Sequence, residues 1–346
     1  MQPGRPLPGC RVTTRRKHAV KLLVAGGAGY IGSVLVPMLR EYGYEVDVAD
    51  LLWFGNHLPG DIRVRQCDLF SLDNRDMEGY DQVLFLAGLS NDPMAEFNPA
   101  LNFIQNGALP AYLAYRARQA GVRRFIYASS CSVYGYTVNK LYDEDSPVTC
   151  AYPYGISKLA GEHGVLQQQE GDFSVVALRQ GTVNGYSPRM RFDLIVNAMF
   201  KSAVASGRII VNNPAIWRPL IDVRDTASAF VRAVQADPAI SGVYNVAYDN
   251  FTVGQVADLV KDAVEERTGK KIQVELRNMK DFRNYKVSCA RAQTCLGFRP
   301  KYGVTAMVDS LFRHLDDYGD LSNPAYYNIE VFKNLPASGA APAIGD

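Results

Sequence analysis

Short apolar runs ended by small or polar residues alternate along this chain with stretches whose apolar positions recur every three to four residues. Lys21-Leu22-Leu23-Val24-Ala25 is such a run, and glycine ends it. A helical pattern carrying Val34, Leu35, Val36 and Leu39 follows. Further strands are predicted at 45–49, 62–66, 82–86 and 173–178, with longer helical patterns at 99–119, 154–169 and 194–205. Strands that alternate with helices predict a parallel sheet covered on both faces. Pro110 interrupts the pattern at 99–119, where a kink or altered packing is expected.

The first strand runs into Gly26-Gly27-Ala28-Gly29-Tyr30-Ile31-Gly32. Gly26, Gly29 and Gly32 fit a tight turn, a close approach to a pyrophosphate and a tight helix–strand contact, and the helix start offers free N–H groups to phosphates. The gap between the first two glycines is one residue wider than in the commonest dinucleotide fingerprint. The second strand ends in Asp50, a carboxylate able to accept from a ribose 2′-hydroxyl, which favours NAD over NADP. Asp68-Leu69 follows the third strand, beside the expected adenine. Leu86-Ala87-Gly88 ends the fourth, with small residues against which a cofactor can lie.

Tyr154 and Lys158 are four residues apart and share one face if their segment is helical. A free phenol, of pKa about 10, is a poor base at pH 7. A nearby ammonium favours the phenolate. Hydroxyls stand upstream in Ser129-Ser130-Cys131-Ser132. Such a set can take a proton from an alcohol while a hydride leaves the same carbon.

Together these pieces resemble the extended short-chain dehydrogenase/reductase family, in its nucleotide-sugar epimerase and dehydratase branch, over roughly residues 20–320. The phrase Pro153-Tyr154-Gly155-Ile156-Ser157-Lys158-Leu159-Ala160-Gly161-Glu162 is close to that branch's wording. The resemblance implies an α/β fold: a Rossmann-type doubly wound parallel sheet with a smaller C-terminal substrate-binding subdomain. Residues 20–180 would carry NAD and the catalytic set, and 181–330 mainly the substrate. It further implies that Asn106 and Ser129 join the glycine turn (with Tyr30 and Ile31), Asp50, Asp68, Leu69, Leu86, Ala87 and Gly88 around NAD. Ser130 would bond the sugar C4 oxygen and share its proton with Tyr154, while Lys158 holds the nicotinamide ribose and lowers the tyrosine pKa.

Dehydratases of the branch carry an Asp-Glu pair where this chain has Cys131 and Ser132, and decarboxylating members keep the Glu. What remains is similar to the 4-epimerases, such as those acting on UDP-glucose, and to the 4-ketoreductases. The expected function is therefore 4-epimerisation of a nucleotide-linked sugar with tightly held NAD. A one-way C4 dehydrogenase or ketoreductase is the alternative, and a non-catalytic dinucleotide-binding protein stands behind both.

On the substrate side, Thr182 stands where the branch usually has an asparagine that contacts the nucleotide sugar, and Gln180 and Gly181 replace two aromatics, leaving room for a bulkier sugar. Ser132 is expected beside the sugar. Arg189 and Arg191 either meet an anionic group or form a solvated charged turn, with Arg191 the substrate candidate. Arg218 falls where the branch grips the diphosphate, and Arg283 is a second candidate. Ser90 opens Ser90-Asn91-Asp92-Pro93, either a sugar-side loop or an Asx-Pro turn.

With 346 residues and 47% hydrophobic content the chain can bury a full core. Its net charge of +2, without a basic stripe interleaved with aromatics, gives nucleic-acid binding no support. No apolar run reaches membrane-spanning length. Six cysteines without a C-x-x-C pair and four scattered histidines argue against a metal site or disulfide framework and fit a reducing cytoplasm. Pro3, Pro6, Pro8 and the basic residues of 11–21 read as a disordered leader over 1–19, and 335–346 as a disordered tail. The patterns at 99–119 and 154–169 fall where the branch builds a four-helix interface, so a homodimer is expected.

Overall fold

The computed structural model of the protein describes residues 20–277 and 283–335. The leader expected at 1–19, and the tail apart from Leu335, lie outside the described residues. The first half contains β1 (Lys21–Ala25), α1 (Gly32–Glu41), β2 (Glu45–Asp50), β3 (Arg63–Gln66), α2 (Asn74–Met77) and β4 (Gln82–Phe85). After these come α3 (Asp92–Phe97), α4 (Pro99–Phe103), α5 (Leu109–Gln119), β5 (Arg124–Ser130), β6 (Tyr136–Tyr142), α6 (Pro153–Leu166) and β7 (Ser174–Gln180).

The second half supplies β8 (Thr182–Asn184), α7 (Ile195–Ser206), β9 (Arg208–Asn212), β10 (Trp217–Asp222), α8 (Val223–Gln235), β11 (Gly242–Val246), β12 (Asp249–Thr252) and α9 (Val253–Thr268). It closes with β13 (Gln273–Arg277), β14 (Asn284–Val287), α10 (Ala290–Cys295), α11 (Val304–Arg313) and α12 (Asn328–Lys333).

Seven strands form the central sheet in the order β11-β7-β5-β4-β1-β2-β3, and every neighbouring pair is parallel. β7 is buried at every position and β5 at all but its last, as expected of strands covered on both faces. Strand order reverses between β1 and β4. Connections diverge there, and a crevice opens beyond the strand ends. β8, β10 and β12 form a smaller sheet. Its neighbours α7, α9 and α11 pack a second core containing Phe200, Val256, Val260, Met307 and Leu311.

The segment after residue 180 contributes to both layers. β11 pairs with β7 in the main sheet, and Phe230 and Val234 of α8 share a core with Leu35 and Leu39 of α1. The chain leaves the first layer after β7, returns to it for α8 and β11, then leaves again. Hydrophobic periodicity cannot reveal such a return, because it reports burial and not the partner.

The pattern at 99–119 resolves into α4, one π-helical turn over Ile104–Ala108, and α5. Pro110 explains the change. It has no N–H to offer the carbonyl four residues back, which is that of Asn106. The Asn106 carbonyl instead accepts from the Tyr127 hydroxyl at 3.2 Å. A π-turn beside a proline thus ties this helix to β5.

Candidate active site

Gly26, Gly29 and Gly32 stand at the switch point, each constrained differently. Gly26 has φ +79°, and a Cβ there would fall 2.4 Å from the Ala87 nitrogen. A Cβ at Gly32 would fall 2.2 Å from the Gly27 carbonyl oxygen. At Gly29 a Cβ would meet only the Gly26 carbonyl oxygen, at 3.5 Å. Two glycines therefore hold the turn together, while the third keeps a bare wall in front of the α1 N terminus. That is a cradle a side chain would fill, and it fits a diphosphate.

One cavity is lined by Gly29, Asp50, Asp68, Leu69, Trp53 and Phe54. It shares Gly26, Gly29, Phe54, Leu86, Ala87 and Gly88 with a larger open cleft of about 650 Å³. Both Asp50 oxygens accept backbone N–H groups, Oδ2 from Ala28 at 3.0 Å and Oδ1 from Leu52 at 2.8 Å. The carboxylate is thereby aimed by the turn itself. Asp68 accepts from the Phe70 amide and caps the short 3-10 turn at Leu69–Ser71. A pocket with an apolar wall and a fixed carboxylate fits the adenosine half of a dinucleotide.

Ile31 and Gly32 line the large cleft, and so does Tyr30. The Tyr30 hydroxyl, however, donates to the Gly185 carbonyl at 2.6 Å, and its own carbonyl accepts from Ser187 Oγ. Its side chain pins the second half of the chain to the glycine turn.

Asn106 is fully buried, and among the described residues it is not part of either cavity wall. Its Nδ2 donates to Leu89 O, Asn102 Oδ1 and Ser157 Oγ. A Cβ at Gly88 would fall 2.1 Å from Asn106 Oδ1. Asn106 thus stands behind Gly88 and braces the wall that a cofactor would touch.

Ser130, Ser132, Tyr154 and Lys158 all line the large cleft. Ser130 ends β5, and α6 starts at Pro153, which suits a first helical turn because its missing N–H is an orphan there anyway. Ser132 Oγ donates to Ser130 Oγ at 2.9 Å. Three hydroxyls thus gather on one side of the cleft, with Ser130 acting on the Tyr154 phenol.

The electrostatics depart from expectation. Burial pushes the Tyr154 phenol well up, Ser130 pulls it down, and Asp92 adds a rise. Lys158 is not among the main influences on it. Instead burial drives the Lys158 ammonium down to about 7, with Glu162 opposing. In the protein alone, desolvation outweighs the pairing that spacing predicted.

Beneath this layer Glu162 is paired twice with Arg179, at 3.0 and 2.6 Å, and accepts from Ser129 Oγ at 2.6 Å. Arg179 also donates to the Tyr134 hydroxyl at 2.8 Å. Ser129 therefore spends its hydroxyl on the brace, although the residue itself borders the cleft. Sequence reasoning gave no role to Glu162 or Arg179; a carboxylate one turn after Lys158 was the available signal.

Across the cleft stand Thr182, Arg191, Arg218 and Arg283. The solvated turn allowed for Arg189 and Arg191 does not form, since they are only 2% and 5% exposed. Arg191 pairs with both oxygens of Asp193 and donates to Ser90 Oγ at 3.2 Å. Ser90 also accepts from Asn328 Nδ2 at 2.7 Å. Asn91 caps α3 with Pro93 just inside, so the Asx-Pro turn forms as well. Arg283 pairs with Asp92, and Arg218 donates to the backbone carbonyls of Trp217 and Arg283. A Cβ at Gly181 would fall 2.8 Å from the Pro219 carbonyl oxygen. Its smallness serves the approach of β10, so the extra room expected for the sugar does not come from Gly181.

Trp53, Phe54, Asn328 and Ile329 are walls that the sequence did not flag. Phe332 of α12 packs on Trp53 with ring centres 5.7 Å apart. No described helix is long and apolar enough to cross a membrane.

Known proteins are similar to this chain in sequence and fold. UDP-glucose 4-epimerase 3 of Oryza sativa subsp. japonica is 28% identical, across 85% of this chain and 89% of its own. The UDP-glucose 4-epimerase of Thermus thermophilus, solved with NAD, is 27% identical with a TM-score of 0.73, across 86% of this chain and 100% of its own. MoeE5, solved with UDP-glucuronic acid and NAD, is 27% identical with a TM-score of 0.76, across 86% and 99%. The sequence model of the NAD dependent epimerase/dehydratase family matches residues 22–247, the span that holds the glycine turn, Asp50 and the Ser130–Tyr154–Lys158 set; the chain belongs to that family.

Proposed function

We propose that the protein is an NAD-dependent nucleotide-sugar 4-epimerase. One observation carries the reading: Ser130, Tyr154 and Lys158 open into the same cleft as the bare Gly29 wall. A set able to move a proton thus borders a dinucleotide cradle. NAD supplies the hydride acceptor and donor when bound.

The residues do the rest. Tyr154 takes the proton of the C4 hydroxyl and returns it, with Ser130 holding the sugar oxygen between them. The phenol needs a positive neighbour to act near neutral pH, because burial alone keeps it protonated. Lys158, one helical turn on, is the residue to supply it and to hold the ribose. Ser132 steadies Ser130.

Water elimination lacks its carboxylates. Cys131 is fully buried, and the acids that line the large cleft, Asp92 and Asp193, are each paired with an arginine. Thr182, Arg191, Arg218 and Arg283 border the side where a nucleoside diphosphate sugar would lie. UDP sugars are the first class to try.

A panel of UDP sugars incubated with the purified protein tests the reading by NMR, with absorbance at 340 nm followed in the same tubes. The expected result is a C4 epimer without net change in absorbance. Net reduction of NAD or net oxidation of NADH would replace it with one-way C4 chemistry.

A homodimer through α4, α5 and α6 belongs to this reading. Phe103, Tyr115 and Ile156, one on each helix, are large apolar side chains left exposed on the single chain. Light scattering that finds only monomer at micromolar concentration would remove this part. The cytoplasm is the compartment implied, in keeping with the free thiols of the five described cysteines.

A further inference from the structure

Arg189 is the charged group of the cleft that the chemistry above leaves without work. It is 2% exposed and lines the large cleft. Its Nη1 and Nη2 are buried and have no hydrogen-bond partner among the described residues. Its guanidinium stacks 3.8 Å from the centre of the Phe54 ring. Arg191 has meanwhile taken the nearby carboxylate, pairing with both oxygens of Asp193 at 2.8 and 2.9 Å. A buried cation without a hydrogen-bonded anion is costly. Burial first, then Arg191, push the Arg189 guanidinium down to about 9. Such a group fits a site where a ligand brings the missing anion.

Its surroundings say which part of the cleft that anion occupies. Phe54, in the loop after β2, belongs to the walls of both cavities. Asp50 and Tyr30 are among the groups whose fields act on Arg189, and both belong to the first strand–helix–strand unit. Gly29 completes the same wall. Of the arginines considered for the nucleotide sugar, Arg218 and Arg283 stand on β10 and just before β14, and Arg191 is held by Asp193. Residues 26–32 contain no charged side chain, so the glycine turn offers a diphosphate only N–H groups and the helix end.

We infer that Arg189 is the dinucleotide's diphosphate clamp, a cation lent by the second half of the chain to a turn that has none. This rests on the reading of the site as NAD-dependent. Arg191 is not equivalent, because its charge is already answered by Asp193.

The test is calorimetric titration of nucleotide-stripped protein with NAD and, separately, with UDP, for wild type, Arg189→Met and Arg189→Lys. Methionine keeps a flexible apolar stem against Phe54 and removes the charge. Expected is a loss of NAD affinity of at least about tenfold in Arg189→Met, the scale of one charge-assisted hydrogen bond. UDP affinity should change less than about twofold, and Arg189→Lys should recover part of the loss. The melting temperature of stripped Arg189→Met should equal or exceed that of wild type, since an unanswered buried charge has gone. Unchanged NAD affinity in Arg189→Met overturns the clamp while leaving the NAD reading intact. So does a loss confined to UDP, or an equal loss for both ligands with a lowered melting temperature, which marks a structural role. No NAD binding by wild type defeats both.

Discussion

Lys158 Nζ lies 4.5 Å from the centre of the Tyr127 ring, and the Tyr127 hydroxyl is held by the Asn106 carbonyl that Pro110 leaves unanswered. The ring gives the ammonium an aromatic face but little solvation, which explains why burial drives Lys158 to about 7.

This placement has a pH signature. Between about pH 7 and 10.5 the unfolded chain keeps the Lys158 proton and the folded one sheds it. The unfolded state therefore binds more protons, and raising the pH through this window favours the folded state. Stripped Lys158→Met should melt higher than wild type near pH 7, and the gap should close toward pH 10. Thermal melts of both proteins across that range check it; a gap independent of pH would refute the assignment.

Removing the Tyr154 hydroxyl leaves the aromatic packing and deletes the proton carrier. Tyr154→Phe should lower turnover by at least about a hundredfold. NAD binding, measured by titration, should be retained. Near-normal turnover would end the catalytic assignment.

The glycine turn can be taken apart one residue at a time. Gly29→Ala should leave the melting temperature almost unchanged, since its Cβ meets only one atom, at 3.5 Å. It should weaken NAD binding by about tenfold or more, because the methyl occupies the cradle. Gly32→Ala puts a Cβ 2.2 Å from the Gly27 carbonyl oxygen and should cost about 1–3 kcal/mol of stability through backbone shifts. Paired melts and titrations separate the two effects.

Glu162 and Arg179 are almost wholly inaccessible, with side chains 1% and 5% exposed. Glu162→Gln leaves a buried guanidinium without its anion and should destabilise by about 3–5 kcal/mol. Denaturant unfolding measures this. A loss below about 1 kcal/mol would mean that water or another acid replaces the carboxylate.

Local chemistry made much of this site legible. The run of 21–25 and the glycines after it announce their turn because a strand and a helix differ in period, and only small residues fit between. Asp50 was readable because β2 must end where the turn begins. Sequence says less where a residue's role depends on what meets it from far away. Asn106 is turned behind Gly88 by a π-turn that spacing does not encode. Gly181 is small because β10 crosses it. Arg189 and Arg191 look alike in the sequence, and only the position of Asp193 decides which of them is already paired.

Gly29 and Ile329 border the same cleft, and α12 closes on the loop after β2 through Phe332 and Trp53. Ordering this wall requires nearly the whole described chain. The last described helix is therefore part of the roof of the nucleotide groove, and removing the chain from Asn328 onward should uncover Trp53 and speed nucleotide release.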